Sequence, residues 1–123
     1  MRILLATDHA DLGQALTLFL SERRHEVVDI AGDVDELVTR ATDEHPDVVL
    51  VDWRLGERES TRAVADLMDS DDPTPVIVLS TSQQRRRAGA SGAAAFATLG
   101  DHPESLLEAL DQVDGRRADP SVG

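Results

Sequence analysis

The chain of 123 residues has the length of a single ordinary domain, and it contains no cysteine, which excludes disulfides and thiolate metal sites. Its formal net charge of −12 argues against general binding to nucleic-acid phosphates or to anionic lipid. All 12 basic residues are arginine, so a Schiff-base lysine and a phosphate-loop lysine are both excluded. The lack of cysteine, of a long apolar run and of a signal peptide after Met1 predicts a cytoplasmic protein.

Five short apolar runs, each typical of a buried strand, alternate with segments of helical periodicity. The predicted strands are 3–6, 26–30, 48–51, 76–79 and 93–97. The first predicted helix is capped by Asp11, and the second begins with a capping box formed by Asp33 and Glu36. Two more helices are predicted from the apolar pattern at 64–68 and at 103–113, and 54–60 is predicted to be a loop. Apolar strands that alternate with helices form parallel sheets covered on both faces, so the predicted fold is an α/β sandwich with five strands.

The end of the sequence is polar and contains glycine and proline from Gly115 onward. Such a composition is typical of a linker or of a frayed terminus. We therefore predict one domain at 1–114 and a flexible tail or linker stub at 115–123.

Polar side chains follow three of the predicted strands at the point where each strand ends. Thr7, Asp8 and His9 follow the first strand, Asp52 follows the third, and Ser80 follows the fourth. Ligands bind beyond the carboxyl ends of the strands in open parallel sheets, so these residues meet if the three strands are neighbours. Two carboxylates and a hydroxyl suit a hard divalent cation, and an aspartate beside such a cation can accept a phosphoryl group. Aspartate is also common at turns and strand ends, so the pattern alone leaves a structural role open.

Five segments of the sequence, taken in order, are similar to the motifs of one family: RILLATDH, HPDVVLVDWRLG, PVIVLS, AGASG and PESLLEAL. Together they resemble the receiver domain of response regulators, the signalling proteins of bacterial two-component systems, over nearly the whole chain. The DH pair is most similar to receivers that carry a helix-turn-helix output domain and regulate transcription. The resemblance implies a flavodoxin-like (βα)5 three-layer sandwich with a five-stranded parallel sheet in the order 2-1-3-4-5.

The resemblance also implies roles for individual residues. Asp52 would be the phosphoacceptor, and Mg²⁺ would be held by Asp8, by Asp52 and by the backbone carbonyl of Arg54. Ser80 would be the switch hydroxyl, which follows the phosphoryl group and moves its loop on activation. The implied partners are a sensor kinase or another signalling protein and a DNA-binding output domain beyond this sequence. Leucines on the first and last helices also fit a homodimer, although core packing explains them equally well. We expect no enzyme activity toward other substrates and no direct binding to nucleic acid or membrane.

Among the departures of the sequence from the family pattern, three bear directly on the function. Thr7 stands where an acidic residue is usual, which predicts weakened Mg²⁺ binding because the affinity for hard cations follows ligand charge. The family's lysine at the end of the fifth strand falls near Phe96, and the chain has no other lysine that could take its place. The span from Ser80 to Gly89 is short by roughly one and a half helical turns, which predicts a shortened fourth helix.

Two functions are therefore left open by the sequence. One is an atypical receiver that is phosphorylated at Asp52, which the retained Asp8, Asp52 and Ser80 favour. The alternative is a domain of the same fold that interacts, dimerises or senses a ligand without phosphorylation, which the three departures favour.

Two further groups of residues were considered for a role in a site. The arginines at 85–87 form a basic cluster in an acidic chain. They are interpreted as a solvated surface, as a contact for the acidic surface of a partner, or as cations that reach the site in place of lysine. The four histidines are scattered over different segments and show no metal-ligand spacing, so we predict no metal site built from them.

Overall fold

A parallel sheet of five strands forms the centre of the molecule in the computed structural model, which describes residues 1–56, 58–70, 72–81, 84–86, 92–98 and 104–118. The elements in chain order are β1 (Arg2–Ala6), α1 (Ala10–Ser21), β2 (Glu26–Ala31), α2 (Val34–Glu44), β3 (Val48–Asp52), β4 (Arg54–Leu55), β5 (Arg58–Glu59), α3 (Thr61–Met68), β6 (Val76–Ser80), β7 (Ala95–Thr98) and α4 (Glu104–Ala118). The main sheet has the order β2-β1-β3-β6-β7, and β4 and β5 form a separate antiparallel hairpin. Counted within the main sheet, this is the order 2-1-3-4-5, so the predicted flavodoxin-like fold is confirmed.

Helices cover both faces of the sheet, because the strands at its centre are apolar on both sides. Every residue of β3 and of β6 is buried. One core joins the sheet to α2 and α3 through Leu37, Val64 and Leu67. The other core joins it to α1 and α4 through Leu20 and Leu110. Because helices cover both faces of the sheet, a ligand can approach the central strands only at their ends.

The first helix begins at the residue that follows the polar end of β1, and not at the predicted Asp11 cap. Its N-cap is His9, which makes no side-chain capping bond, and Asp11 lies in the first turn. The backbone N–H of His9 is held by Thr7 Oγ1 at 3.1 Å, so the chain turns into the helix two residues early. The predicted cap of α2 is confirmed, since Asp33 Oδ1 accepts from the N–H of Glu36 at 2.8 Å.

The segment predicted as a loop at 54–60 contains the β4–β5 hairpin, in which Arg54 pairs with Glu59 and Leu55 with Arg58. Strands of two residues are too short to show a periodic pattern, so they cannot be predicted from hydrophobic periodicity. Gly56 lies in the turn with φ +67°, a conformation that favours glycine.

The last strand and the last helix are displaced from their predicted positions. The strand is Ala95–Thr98 and not 93–97, because a run of alanines carries little strand preference and does not fix the ends. The helix continues past Val113 to Ala118, across the predicted start of the tail, so its predicted end is wrong, although the division at 114 into domain and tail stays a prediction. The helix predicted to be short, between β6 and β7, lies mostly outside the described residues. Within this segment the structure describes residues 84–86, of which Arg85 and Arg86 are helical. Within the described part of the chain, no helix combines the length and apolar character needed to cross a bilayer.

Candidate functional site

The three polar residues at the ends of neighbouring strands are buried at one edge of the sheet. Thr7 follows β1, Asp52 ends β3 and Ser80 ends β6, and their exposed fractions are 4%, 4% and 0%. The strands β1, β3 and β6 are adjacent and parallel, with Ala6 opposite Val51 and Asp52 opposite Leu79. The fold therefore brings the predicted strand ends together, as the sequence analysis expected.

Thr7, which occupies the position of an acidic residue in the family pattern, is hydrogen-bonded to Asp52. Its hydroxyl donates a hydrogen bond of 2.6 Å to Oδ2 of Asp52, and the bond is buried. The same hydroxyl oxygen accepts from the backbone N–H of His9. A short bond to a carboxylate is of the charge-assisted kind, which is about twice as strong as a neutral one. Thr7 is thus a direct partner of the predicted phosphoacceptor.

Asp8 reaches across the site to the β4–β5 hairpin. Its Oδ2 accepts from the backbone N–H of Gly56 at 3.1 Å, and its Oδ1 lies 3.5 Å from Nε2 of His9. These contacts hold an exposed carboxylate beside the buried carboxylate of Asp52. The glycine turn of the hairpin therefore helps to set the position of Asp8.

Two buried polar atoms at this edge are left without a partner. Neither Oδ1 of Asp52 nor Oγ of Ser80 has a hydrogen-bond partner among the described residues. Burial raises the pKa of the Asp52 carboxyl above its ordinary value, while the bond from Thr7 and the charge of His9 oppose the rise and the charge of Asp8 adds to it. A buried polar group without a partner is costly, and a ligand, an ion or a water molecule bound at this edge of the sheet would satisfy these atoms.

Three side chains at this edge are placed so that they can share one cation. Asp8, His9 and Asp52 each offer one ligand atom, and these atoms lie within 4.8 Å of one another. Two carboxylates close together suit a hard divalent cation, because such ions prefer oxygen ligands. Of the predicted ligands, Arg54 lies two residues beyond Asp52 in β4, and the role of its carbonyl stays a prediction. His9 was not among the predicted ligands, although its place next to Asp8 at a strand end was a usable signal.

Ser60 is a second contact of Asp52 that sequence reasoning missed. Its hydroxyl donates 2.6 Å to the backbone carbonyl of Asp52, and its N–H donates 2.8 Å to the carbonyl of Trp53. Ser60 is fully buried and precedes α3. It therefore ties the return of the hairpin to the end of β3. No local pattern signals this role, because the bond joins residues on either side of a turn.

We expect Ser60→Ala to lower the free energy of unfolding by about 1–2 kcal/mol, the usual effect of a lost buried hydrogen bond. The matched control is Ser21→Ala, whose exposed hydroxyl also donates to a backbone carbonyl, that of Leu18 at 2.9 Å. Urea unfolding followed by Trp53 fluorescence measures both variants. Equal effects of the two substitutions would show that the Ser60 bond does not hold the hairpin against β3.

The position predicted for the missing lysine needs correction. Thr98 pairs with Ser80 at the end of β7, whereas Phe96 pairs with Val78 within the strand. The end of the strand therefore lies two residues beyond the predicted position, because the strand begins later in the alanine run than expected. The guanidinium of Arg85 stacks over the ring of Phe96 at 4.1 Å. One arginine of the basic cluster is thus packed on β7, and Arg87 lies outside the described residues.

A cleft of about 530 Å³ opens beside the site, between the ends of β1 and β2 and the start of α1. Thr7, Asp8, His9, Gln14 and Ile30 are among its lining residues. Ile30, which is 40% exposed, forms an apolar part of the lining. The cleft therefore borders Thr7, whose hydroxyl is bonded to Asp52.

Comparison with known proteins agrees with this geometry. Residues 3–116 match the family model described as the response regulator receiver domain. The transcriptional regulatory protein PdtaR of Mycobacterium tuberculosis is 31% identical over 113 residues, which cover 89% of this chain and 55% of that protein. The chain therefore spans about half the length of this curated relative.

Two solved structures have a similar fold. The chemotaxis response regulator CheY4 of Vibrio cholerae has a TM-score of 0.78 at 23% identity, over 91% of this chain and 97% of that chain. The response regulator PhyR from Brucella abortus has a TM-score of 0.84 at 22% identity, over 98% of this chain and 50% of that chain. At these identities the likeness concerns the fold alone.

Proposed function

Because the chain belongs to the response regulator receiver domain family, a family of signalling domains, we propose that it accepts a phosphoryl group on Asp52. The observation that carries the proposal is the buried carboxylate of Asp52, which has one oxygen without a partner among the described residues. In the transfer, a carboxylate oxygen forms a bond to phosphorus as the bond from phosphorus to the donor breaks, and the donor's leaving atom keeps the electron pair. A phosphorylated sensor kinase is the proposed donor.

Asp8 and Asp52 are the proposed ligands of Mg²⁺, together with the backbone carbonyl of Arg54. The short separation of the acidic ligand atoms supports this set. When bound, the ion would neutralise negative charge on the group in transfer. Thr7 brings a hydroxyl where the family usually has a carboxylate, so the site offers one ligand charge fewer and binds Mg²⁺ weakly.

Ser80 is the proposed switch hydroxyl. It ends β6 next to the end of β3, it is fully buried, and its Oγ has no partner within the described ranges. A hydroxyl with a free proton can donate to an oxygen of an incoming phosphoryl group, and its movement would carry the following loop with it. The absence of lysine from the whole chain leaves this hydroxyl with a larger share of phosphoryl recognition than is usual in the family.

The proposed partners follow from the family and from the relatives. A sensor kinase or other signalling protein would supply the phosphoryl group. The similarity to a transcriptional regulatory protein about twice as long supports an output domain that acts in transcription, and we propose DNA as the target of that domain. A homodimer through α1 and α4 remains part of the proposal. The acidic chain itself is not proposed to bind nucleic acid or membrane, and the proposed location is the cytoplasm.

Intact mass after incubation with a small-molecule phosphodonor and Mg²⁺ tests the proposal. We expect one added phosphoryl group on the wild type and none on Asp52→Asn. Asp11→Asn is the matched control, because this aspartate is exposed in the first turn of α1 and lies outside the group of ligand atoms. No labelling of the wild type at saturating donor and metal would overturn the proposal, and so would labelling that persists in Asp52→Asn.

The second candidate is a phosphorylation-independent interaction or ligand-sensing domain. The cleft beside Thr7 and Asp8 and the absence of lysine from the chain favour it. In that case Asp52→Asn would leave partner or ligand binding unchanged, and the mass experiment would show no label on the wild type. The two functions therefore give opposite results in one measurement.

A further inference from the structure

We propose that Thr7 is a positioning residue for the phosphoacceptor: its hydroxyl engages Oδ2 of Asp52 and leaves Oδ1 as the atom that accepts the phosphoryl group. The inference rests on the proposed function, and it concerns a residue at which this chain departs from its family. Three observations support it. The Thr7 proton points to Asp52, the Thr7 side chain is held in one orientation, and Oδ1 of Asp52 has no hydrogen-bond partner among the described residues.

The direction of the Thr7 proton follows from its two hydrogen bonds. The backbone N–H of His9 donates to Thr7 Oγ1 at 3.1 Å, so the hydroxyl oxygen is the acceptor there. A threonine hydroxyl has one proton to donate, and the 2.6 Å contact with Oδ2 of Asp52 takes it. The carboxylate can only accept in this pair, which gives the bond a single direction.

The Thr7 side chain is also held from its other sides. Its backbone N–H donates to the carbonyl of Ala31 at 2.9 Å, which fixes the main chain against the end of β2. A Cβ added to Gly13 on α1 would lie 3.4 Å from the Thr7 methyl carbon, so the methyl group rests directly over that glycine. Threonine is branched at Cβ and therefore stiff at χ1, so packing of the methyl group also fixes the hydroxyl.

The two oxygens of Asp52 are consequently not equivalent. Oδ2 is engaged by Thr7, while Oδ1 is buried and has no partner in the described part of the chain. The atom with free electron pairs forms the new bond to phosphorus, the bond from phosphorus to the donor breaks, and the leaving atom departs with its electron pair. Holding the reacting oxygen in one orientation is worth a large factor in rate, since small misplacements of a reacting atom are costly.

Two pairs of proteins that differ by one hydroxyl test the inference: the wild type against Thr7→Val, and Thr7→Ser against Thr7→Ala. We expect Thr7→Val to be labelled by a small-molecule phosphodonor about tenfold more slowly than the wild type, the effect of losing one hydrogen bond to a charged group. Thr7→Ser should keep most of the rate, and Thr7→Ala should be slower than Thr7→Ser by a similar factor. The second pair keeps the test valid if Thr7→Val does not fold.

The carboxyl ¹³C NMR signal of Asp52 supplies a readout that does not depend on labelling. We expect it to move in both variants that lack the hydroxyl and to stay near its wild-type position in Thr7→Ser. Equal labelling rates within both pairs would overturn the role of Thr7 and leave phosphorylation of Asp52 standing. No labelling of any protein, the wild type included, would instead overturn the proposed function and with it this inference.

Discussion

Replacing Thr7 with aspartate is expected to make the stability of the protein depend on a divalent cation. The new carboxylate would lie beside that of Asp52, where the Thr7 hydroxyl now donates at 2.6 Å, in a place that is 4% exposed. Two carboxylates that share a buried site cannot both ionise easily, so the free energy of unfolding should fall by about 2–4 kcal/mol without metal. Binding of Mg²⁺ to the folded state should restore about 2.7 kcal/mol at one hundred times the dissociation constant.

The matched control for this experiment is Thr7→Asn, which has the size of aspartate without its charge. Urea unfolding with and without Mg²⁺, followed by the fluorescence of Trp53, measures both variants, and calorimetric titration gives their affinities for the ion. We expect Thr7→Asp to bind Mg²⁺ at least tenfold more tightly than the wild type, because affinity for hard cations follows ligand charge. If Mg²⁺ stabilises Thr7→Asp no more than Thr7→Asn, the edge of the sheet is not a cation site.

The sequence was sufficient to predict the sheet and the convergence of its polar ends. Runs such as 48–51 and 76–79 are apolar throughout, and only a sheet covered on both faces buries them completely. Once the strand order is known, the position of Asp52 opposite Leu79 follows from the parallel pairing. The fold class therefore follows from the hydrophobic pattern, and the location of the candidate site follows once the strand order that the family resemblance implies is added.

The hydrogen bonds within the site could not be predicted in the same way. From the sequence, Thr7 indicates only the loss of a carboxylate. In the structure its hydroxyl is hydrogen-bonded to Asp52, which lies 45 positions away along the chain. Such a bond depends on side-chain rotamers at the meeting point of two strands, which a pattern of residue types does not contain. The same holds for Ser60, whose contact with the carbonyl of Asp52 requires the hairpin turn that the sequence did not reveal.

The position of the last strand was missed for a different reason. The run 93–97 contains four alanines, which have low strand preference and no periodic contrast between the two faces. The true strand was fixed instead by its pairing with β6, in which Ile77 lies opposite Ala95 and Ser80 opposite Thr98. Tertiary pairing therefore decided what local preference left open.

Asp52→Asn is expected to stabilise the protein at neutral pH, because the substitution removes the charge of a buried carboxylate. Its exposed fraction is 4%, and its Oδ1 has no hydrogen-bond partner among the described residues. Asparagine keeps an oxygen that can accept from Thr7 and removes the buried charge. We expect a gain of about 1–2 kcal/mol in the free energy of unfolding at pH 7, because a neutral amide costs less to bury than an ionised carboxylate.

The gain should depend on pH in one direction. Burial raises the pKa of the Asp52 carboxyl above its ordinary value of 3.8, so the folded protein keeps this proton to a higher pH than the unfolded chain does. The contribution of Asp52 to the free energy of unfolding therefore falls as the pH rises from 3.8 through the raised pKa, and it is level above that pKa. Asp52→Asn lacks this fall, so its advantage over the wild type should be small at low pH and should grow toward neutrality.

Urea unfolding across a pH series, with a chelator present to exclude metal ions, measures this difference. Asp43→Asn is the control, because it makes the same change at an exposed position on α2. We expect the control to follow the wild type at every pH, within the usual range of about 0.5 kcal/mol for surface substitutions. An Asp52→Asn protein that is no more stable than the wild type at pH 7 would show that the ionised carboxylate is well solvated or paired in the folded state. That result would contradict the interpretation that Oδ1 has no partner, on which the proposed acceptance of a phosphoryl group depends.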